Sequence, residues 1–504
     1  MHIYQNVIFT RPDQFSLWQR WFPQHLGYPM PLTMLSYQWD QWLWLGRSAG
    51  NFALKDGWGF HVSNLIYFTI IVALLYRLCR LLVASRWAAF GGVAFFAFHP
   101  VVAESVSWVT GRKDLLMTLF SLAAILAFLR LLKEPHWKRG LLFVLFGILA
   151  LGGKPGAVFL LPFTLCFLVF FQAHSAPPKE EPSVEHSVVE GSSTLSEKDG
   201  KVGYIPSKKT WWLALGAIGI LTCAGLVSFM LSFSWQQQVG GAQLKFSILG
   251  LLRRAVWALG FHCRLILYPV GLRPKYIYEP GGFDGMDLLA LVVLGSFLWI
   301  LARKELRRTA LGFGVMLFVF AYLPVSNLIP LQRFLADTYV FLPMTGLAVC
   351  VAFILERLYL SSKDTVWRSL RIVLVCLLLC GMTLSWFQAR IWRGSPSLWA
   401  HTIQFHFHPR VCRSLGHAYI QAIQYDKAIL TYKLCMKHFG MGLYTNNLGL
   451  AYFLKRDYQK AYEIFLRIQK DNPRDTRAAK YLYFLKKMGF PRIRPQKRHS
   501  PFGR

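Results

Sequence analysis

The sequence predicts an all-α protein in two parts: a polytopic membrane helix bundle of about ten spans, then a short domain of helical repeats. Three observations carry this reading. Of 504 residues, 54% are hydrophobic and only 16% are charged, where a soluble domain carries about 25% charged residues. Apolar runs of spanning length recur between residues 61 and 388. After residue 389 a polar stretch repeats itself at a fixed interval.

Residues 1–60 are polar and aromatic and show no signal-peptide pattern. FSLWQRWF at 15–22 and GYPMPLTMLSYQWDQWLWLG at 27–46 are too polar to span. Their Trp and Tyr residues predict helices lying in the membrane interface. Spans are predicted at 61–83, 86–100, 114–132, 139–153, 155–172, 210–233, 286–302, 309–328, 339–358 and 368–388. The second and fourth are short, with Gly and Pro at their ends, as in tilted spans or helices broken around a cavity. The stretch 246–268 carries Arg253, Arg254, His262 and Arg264, so it reads either as an interfacial helix or as a span. Residues 173–209 are rich in Ser, Glu and Pro with almost no aromatics, which predicts a disordered cytoplasmic linker. The expected domains are therefore an outer-face segment (1–60), a first membrane half (61–172), the linker (173–209), a second membrane half (210–388), the repeat domain (389–490) and a basic tail (491–504).

The net charge is +32. Lys and Arg cluster in the short loops at 77–86, 130–139, 303–308 and 356–371. All four loops face the cytoplasm only if 246–268 does not fully cross. That topology puts 1–60, 101–113, Lys154, 234–285, 329–338 and everything after 389 on the non-cytoplasmic side. A membrane accounts for the basic charge, no nucleic-acid motif is present, and no nucleic-acid partner is expected. The nine cysteines show no metal-ligand spacing, and most lie in apolar runs where Cys acts as a small hydrophobe.

LGHAYIQAIQYDKAILTY begins at Leu415 and LGLAYFLKRDYQKAYEIF at Leu448. Leu415, Gly416, Tyr419, Tyr425, Ala428 and Tyr432 recur 33 residues later as Leu448, Gly449, Tyr452, Tyr458, Ala461 and Phe465. Small residues at a helix crossing with aromatics around it, at this period, are the tetratricopeptide (TPR) signature. TRAAKYLYFLKKMG at 476–489 reads as a closing helix. From residue 389 onward, 22 Lys and Arg stand against 5 Asp and Glu, a net +17. A solvated face beside an anionic membrane explains that charge.

Charges beside apolar spans are costly and point to function. FHPVVAESVSWVTGRKDLL at 98–116 carries His99, Glu104, Arg112, Lys113 and Asp114. Arg and Lys beside carboxylates can hold a phosphate and a sugar hydroxyl together. The plainer alternative is a hairpin in which Arg112 pairs with Asp114 and Asp114 caps the next helix. LGGKPGA at 151–157 places Lys154 between two spans, where it snorkels to the interface or contacts an anionic head group. LPVSNLIPLQRFLADTYVFLP at 323–343 holds Arg333 and Asp337, and the first segment holds Asp40. The topology puts these segments on one membrane face, which predicts a polar pocket roofed by aromatic interfacial helices.

Together, YPMPLTMLSY, HVSNLIYFTIIVALLYRL, FHPVVAESVSWVTGRKDLL, LGGKPGAVFLLP, LPVSNLIP, LADTYVFLP and the repeats resemble the transmembrane and TPR repeat-containing O-mannosyltransferase-like family, in its bacterial branch. The motifs stand in family order over most of the chain. The resemblance implies a GT-C membrane fold that transfers a sugar, mannose in this family, from a polyprenyl-phosphate carrier to a protein acceptor on the non-cytoplasmic face. It assigns Glu104 and Asp114 as catalytic carboxylates and Arg112, Lys113, Lys154 and Arg333 to the donor phosphate, with His99, Asp337 and Asp40 in support. The TPRs, packed through Leu415, Gly416, Tyr419, Ala428, Leu448, Gly449, Tyr452 and Ala461, would bind or present the acceptor protein. The sequence assigns no cofactor with certainty. A divalent metal enters only by family analogy, since the sequence has no metal motif. The implied location is the bacterial cytoplasmic membrane, with the TPR domain outside.

The chain departs from the family pattern in three places. The family opens with a spanning helix and an acidic pair shortly before a segment like HIYQN, whereas this chain opens on MHIYQN. The expectation is a start placed late or a lost base. Met30 and Thr338 stand where the family pattern has Arg. A non-enzymatic membrane scaffold presenting the TPRs is the second reading. A transporter is the third, against which stand the lack of inverted repeats and of charges at the centre of a span.

Overall fold

The computed structural model describes residues 28–45, 57–170, 207–239, 247–276, 282–331, 333–361, 364–440 and 445–490. The segment 15–22, nearly all of the linker at 173–209 and the tail at 491–504 lie outside these residues. Among the described residues all regular structure is helical. The chain divides into two compact units, Met1–Arg390 and Ile391–Arg504.

The first unit contains α1 (Pro31–Leu45), α2 (Trp58–Leu82), α3 (Arg86–Phe98), α4 (Ala103–Ser107), α5 (Arg112–Lys133), α6 (Trp137–Gly153), α7 (Leu160–Phe170), α8 (Lys208–Val239), α9 (Ile248–Leu267), α10 (Gly285–Ala302), α11 (Lys304–Arg307), α12 (Ala310–Tyr322), α13 (Pro343–Ser361) and α14 (Asp364–Ile391). Helix occupies most of each predicted span, and among the described residues six segments are long and apolar enough to cross a membrane: Trp58–Leu82, Val109–Lys133, Lys208–Ser232, Gly285–Ala302, Pro343–Ser361 and Trp367–Ile391. Arg86–Phe98 with Pro100–Ser107, bent by 53°, makes a seventh if the pair is one span. Two further predicted spans, 155–172 and 309–328, fall on the shorter apolar helices Pro155–Phe170 and Ala310–Val325. Pro100, Pro155 and Pro324 follow helix ends closely, because proline removes a backbone donor and stops the preceding helix. The 17 residues of α6 reach about 26 Å, short of a hydrocarbon core of about 30 Å. The amphipathic α9 is not among the spanning helices. The chain is a multi-pass membrane protein.

α5 is the central helix, with 83% of its apolar window buried, while α14 has none of its window buried and presents Ile372, Val373, Leu377 and Trp386 outward. α5 packs between α2 and α6, and α13 packs on α3 and α12. At 1.5 Å per residue, α5 carries the chain about 33 Å. It runs from the charged residues at 112–114 to the basic loop at 130–139.

α1 is the helix predicted to lie in the interface, and its polarity is inverted. Thr33, Ser36, Tyr37 and Asp40 are buried, while Leu35, Trp39, Trp42 and Leu43 are exposed. The i, i+3, i+4, i+7 spacing puts the first set on one stripe. That stripe is pinned by Thr33 Oγ1 donating to Gly153 O (3.0 Å) and Tyr37 OH donating to Val109 O (3.0 Å). The apolar stripe faces outward.

The second unit contains α15 (Ser395–Phe405), α16 (Pro409–Gln421), α17 (Tyr425–Phe439), α18 (Thr445–Leu454), α19 (Tyr458–Asp471) and α20 (Thr476–Lys487). The 33-residue recurrence is a recurrence of helix pairs, α16/α17 and α18/α19. Leu415, Ala428, Leu448, Tyr452 and Ala461 are buried, and Tyr419 packs against the same core. Gly416 faces the Tyr432 ring as Gly449 faces the Phe465 ring, where an added Cβ at Gly449 would lie 2.8 Å from a ring carbon. The turns repeat as well: Ile423 (φ 61°) and Arg456 (φ 68°) are both left-handed. The amides that follow, Gln424 and Asp457, donate to Tyr419 O and Tyr452 O. A disulfide, Cys412–Cys435, joins α16 to α17.

Candidate functional site

The polar segments of the first unit meet at the N-terminal end of α5. They sort into a frame and an open cluster.

The frame centres on Arg112, fully buried at the start of α5. The turn before it passes close to α4, and at Gly111 a Cβ would overlap the Ser105 backbone. The Arg112 guanidinium pairs with Asp40 Oδ2 (2.5 Å) and donates to Asn64 Oδ1 (2.9 Å), Ser36 O (3.2 Å) and Phe60 O (2.9 Å). It also lies 4.7 Å from the Tyr37 ring centroid. Asp40 accepts from Ser63 Oγ (2.7 Å), which accepts from Trp44 Nε1 (3.1 Å). Burial raises the Asp40 carboxyl above its usual range, and Arg112 pulls against that rise. Arg112, expected at the donor phosphate, is here sealed from solvent and ties α1 and α2 to α5. It does not pair with Asp114.

Glu104, Asp114, Arg333 and Lys154 form the open cluster. Glu104, on α4, is fully buried at its side chain and pairs through Oε1 with Arg333 Nη1 (2.8 Å), whose side chain is 29% exposed. Glu104 Oε2 and Arg333 Nε and Nη2 are buried with no hydrogen-bond partner among the described residues. Burial alone would loosen the Arg333 proton, but the Glu104 carboxylate outweighs it and holds the guanidinium charged more firmly than usual. Asp114 pairs with Lys154 Nζ (2.6 Å), and its Oδ2 is likewise unpartnered. Lys154 also lies 5.5 Å from the Tyr339 ring. Lys113 sits between the Tyr28 and Trp108 rings, 5.7 Å from each centroid.

Asp337 accepts from Tyr276 OH (2.5 Å), which in turn accepts from the Arg273 amide (3.1 Å). Burial, then the Glu104 charge, push the Asp337 carboxyl well above the usual carboxylate range. Tyr339 OH donates to Arg333 O (2.5 Å) and fixes that loop. His99 acts as a brace, with Nε2 on Ile266 O (2.9 Å) and Nδ1 accepting from the Val101 amide (3.2 Å). His262 on α9 does the same between Tyr322 OH (2.9 Å) and Ala336 O (3.2 Å), and burial pushes its imidazole down to about 4. Met30, where the family pattern has Arg, packs with Met34, Tyr37 and Phe60. Thr338 is buried in the turn after Ala336.

The structure thus joins Glu104 to Arg333 and Asp114 to Lys154, with Lys113 and Asp337 in electrostatic reach. Asp40 stands apart with Arg112. Sequence reasoning missed Tyr276, Tyr339 and Arg273, and read His262 only as a charge on the 246–268 stretch. A search for charges does not weigh hydroxyls, and Arg273 lies in a loop with no carboxylate beside it. Among the described residues no three His, Cys, Asp or Glu side chains group to hold a metal ion. Glu104 and Asp114 already face cations and Asp337 a hydroxyl, so this donor set does not fit a divalent ion.

The family profile described as dolichyl-phosphate-mannose-protein mannosyltransferase matches residues 36–181, which include the greater part of α1 and the 98–116 segment. A protein O-mannosyl-transferase of Caenorhabditis elegans is 26% identical over 330 residues, 63% of this chain and 42% of that protein. One from Drosophila melanogaster is 37% identical over 100 residues, 20% of this chain and 10% of that protein. One from Homo sapiens is 23% identical over 392 residues, 68% of this chain and 41% of that protein. The chain spans less than half the length of these relatives. No solved structure matches it. By profile and by pairwise comparison alike, the chain is similar to the protein O-mannosyl-transferases.

Proposed function

We propose that the chain is a membrane glycosyltransferase that moves a sugar, mannose by its relatives' names, from a polyprenyl-phosphate carrier to a hydroxyl of a protein acceptor. The observation that carries this reading is the Glu104–Arg333 pair: a buried carboxylate and a partly buried guanidinium, each half-satisfied, with Lys154 and Lys113 beside them. Such a pair is suited to a phosphate on one side and a hydroxyl on the other. The acceptor oxygen attacks the anomeric carbon and the bond from that carbon to the phosphate oxygen breaks. The bond electrons leave with the polyprenyl phosphate, whose new charge is met by Arg333, Lys154 and Lys113. Glu104 Oε2 takes the hydroxyl proton. Phosphate docking on Arg333 competes with Glu104 and so releases the base as the donor arrives. Asp114 positions Lys154, and Asp337 held by Tyr276 backs Arg333.

The Cys412–Cys435 disulfide supports placing the second unit in an oxidising compartment. That is the side the loop charges assign to the site, outside a bacterial cytoplasmic membrane. Alkylation of the denatured chain without reductant should leave both thiols unlabelled, and labelling before reduction would remove this support.

One observation favours the second reading, a non-enzymatic anchor for the repeats: Met30 sits in an apolar cluster where the family pattern supplies a cation. Transfer of radiolabelled mannose from polyprenyl-phosphate mannose to membrane protein separates the two. Full-length protein should transfer, and Glu104→Gln and Arg333→Ala should each lose about 100-fold or more. Unchanged transfer in Glu104→Gln would sink the assigned base. No transfer by any form, with a partner still captured through the second unit, would favour the anchor.

A further inference from the structure

The opposite end of α5 carries a second polar concavity that the transfer reaction does not use. The turn between α5 and α6 and the start of α8 border an open surface cavity of about 550 Å³, lined by Lys133, Glu134, His136, Arg139 and Lys209 among others. Three cations face one carboxylate there, and that carboxylate is already paired with Arg139. The wall also includes His136 and Ser207, the residues that cap the first turns of α6 and α8. Two helix N-termini therefore add their positive ends to the side-chain charge. This is a place for an anion with several acceptor oxygens.

The surroundings say what carries the anion. Trp137 is 59% exposed and stacks on His136 at the rim. Below it α6 exposes Leu141, Leu145 and Ile148, and the adjoining α8 exposes Trp212 and Leu215. A charged cavity whose rim runs directly into outward apolar faces of two packed helices fits an amphiphile, with its phosphate in the cavity and its chains along the helices. A soluble phosphate would use only the first half of that surface.

We infer that this cavity binds the phosphate head group of an acidic membrane phospholipid. Purified full-length protein in a neutral detergent is titrated with phosphatidylglycerol, phosphatidylcholine or inorganic phosphate, and the thermal midpoint is followed. Phosphatidylglycerol should raise the midpoint saturably, and the other two should not. Lys133→Gln with Lys209→Gln, which leaves the Arg139–Glu134 contact intact, should weaken the half-saturating concentration about tenfold or more. Lys304→Gln with Arg308→Gln, on another basic loop, should leave it unchanged. An equal response to phosphatidylcholine, or an unchanged response in the Lys133/Lys209 variant, would overturn the site. An equal response to inorganic phosphate would overturn the lipid as its occupant.

Discussion

Two buried carboxylate–arginine pairs lie near the same end of the bundle and have opposite characters. Arg112 and Asp40 are sealed, with side-chain exposures of 0% and 2%, and the guanidinium has four named partners. Arg333 and Glu104 are joined by one contact, with Nε, Nη2 and Oε2 left over. A buried ion pair stabilises only when its remaining donors and acceptors are also met. In the first pair every guanidinium nitrogen of Arg112 has an acceptor, and only Asp40 Oδ2 lacks a hydrogen bond beyond its ion-pair contact, so the pair comes close to that condition and holds α1, α2 and α5 together. The second does not, and leftover buried polar atoms at a partly open site are what a substrate can satisfy.

The contrast breaks most sharply at Asp40. Asp40→Ala should destabilise the membrane unit by about 3–5 kcal/mol, because it leaves the Arg112 charge buried and unpaired. A thermal midpoint in detergent reads this, and a shift below about 1 kcal/mol would return Arg112 to the site. Glu104→Gln should do the reverse, abolishing transfer while moving the same midpoint by about 1 kcal/mol or less.

His262 extends the comparison to acid. Its folded-state imidazole is depressed from 6.5 to about 4, so its contribution to stability is complete above pH 6.5 and is lost as pH falls towards about 4. The midpoint of the wild type should fall over that window, and His262→Gln should flatten part of the fall. An identical slope in the variant would remove His262 from the frame. The smallest effect belongs to Asp337. Its raised carboxyl favours the protonated form, so Asp337→Asn should retain most stability and transfer, whereas Asp337→Ala strands the Tyr276 hydroxyl and costs about 1–3 kcal/mol. Equal losses in both variants would mean that Asp337 acts ionised.

Much of this was legible in the sequence. Apolar runs and the 33-residue recurrence are local periodicities, so helix positions and the repeat pairs could be read directly. The inverted polarity of α1 was half legible: its tryptophans marked an interface helix, but the buried Thr33–Asp40 stripe required a partner surface. The lengths of the individual helices were less legible, because hydropathy does not register where Pro100, Pro155 or Pro324 stops a helix.

Helical class, membrane character, the repeat and the charge-bearing segments followed from the sequence by itself, because each depends on residues within a few turns of one another. Which arginine is locked and which is open followed only from the tertiary structure. Arg112 and Arg333 look alike in their motifs. Their difference depends on Asp40, 72 positions before Arg112, and on Glu104, 229 positions before Arg333. The same holds for Cys412 and Cys435 and for the cavity between α5 and α8. Burial and hydrogen-bond satisfaction are properties of what surrounds a side chain, and only the folded chain supplies the surroundings.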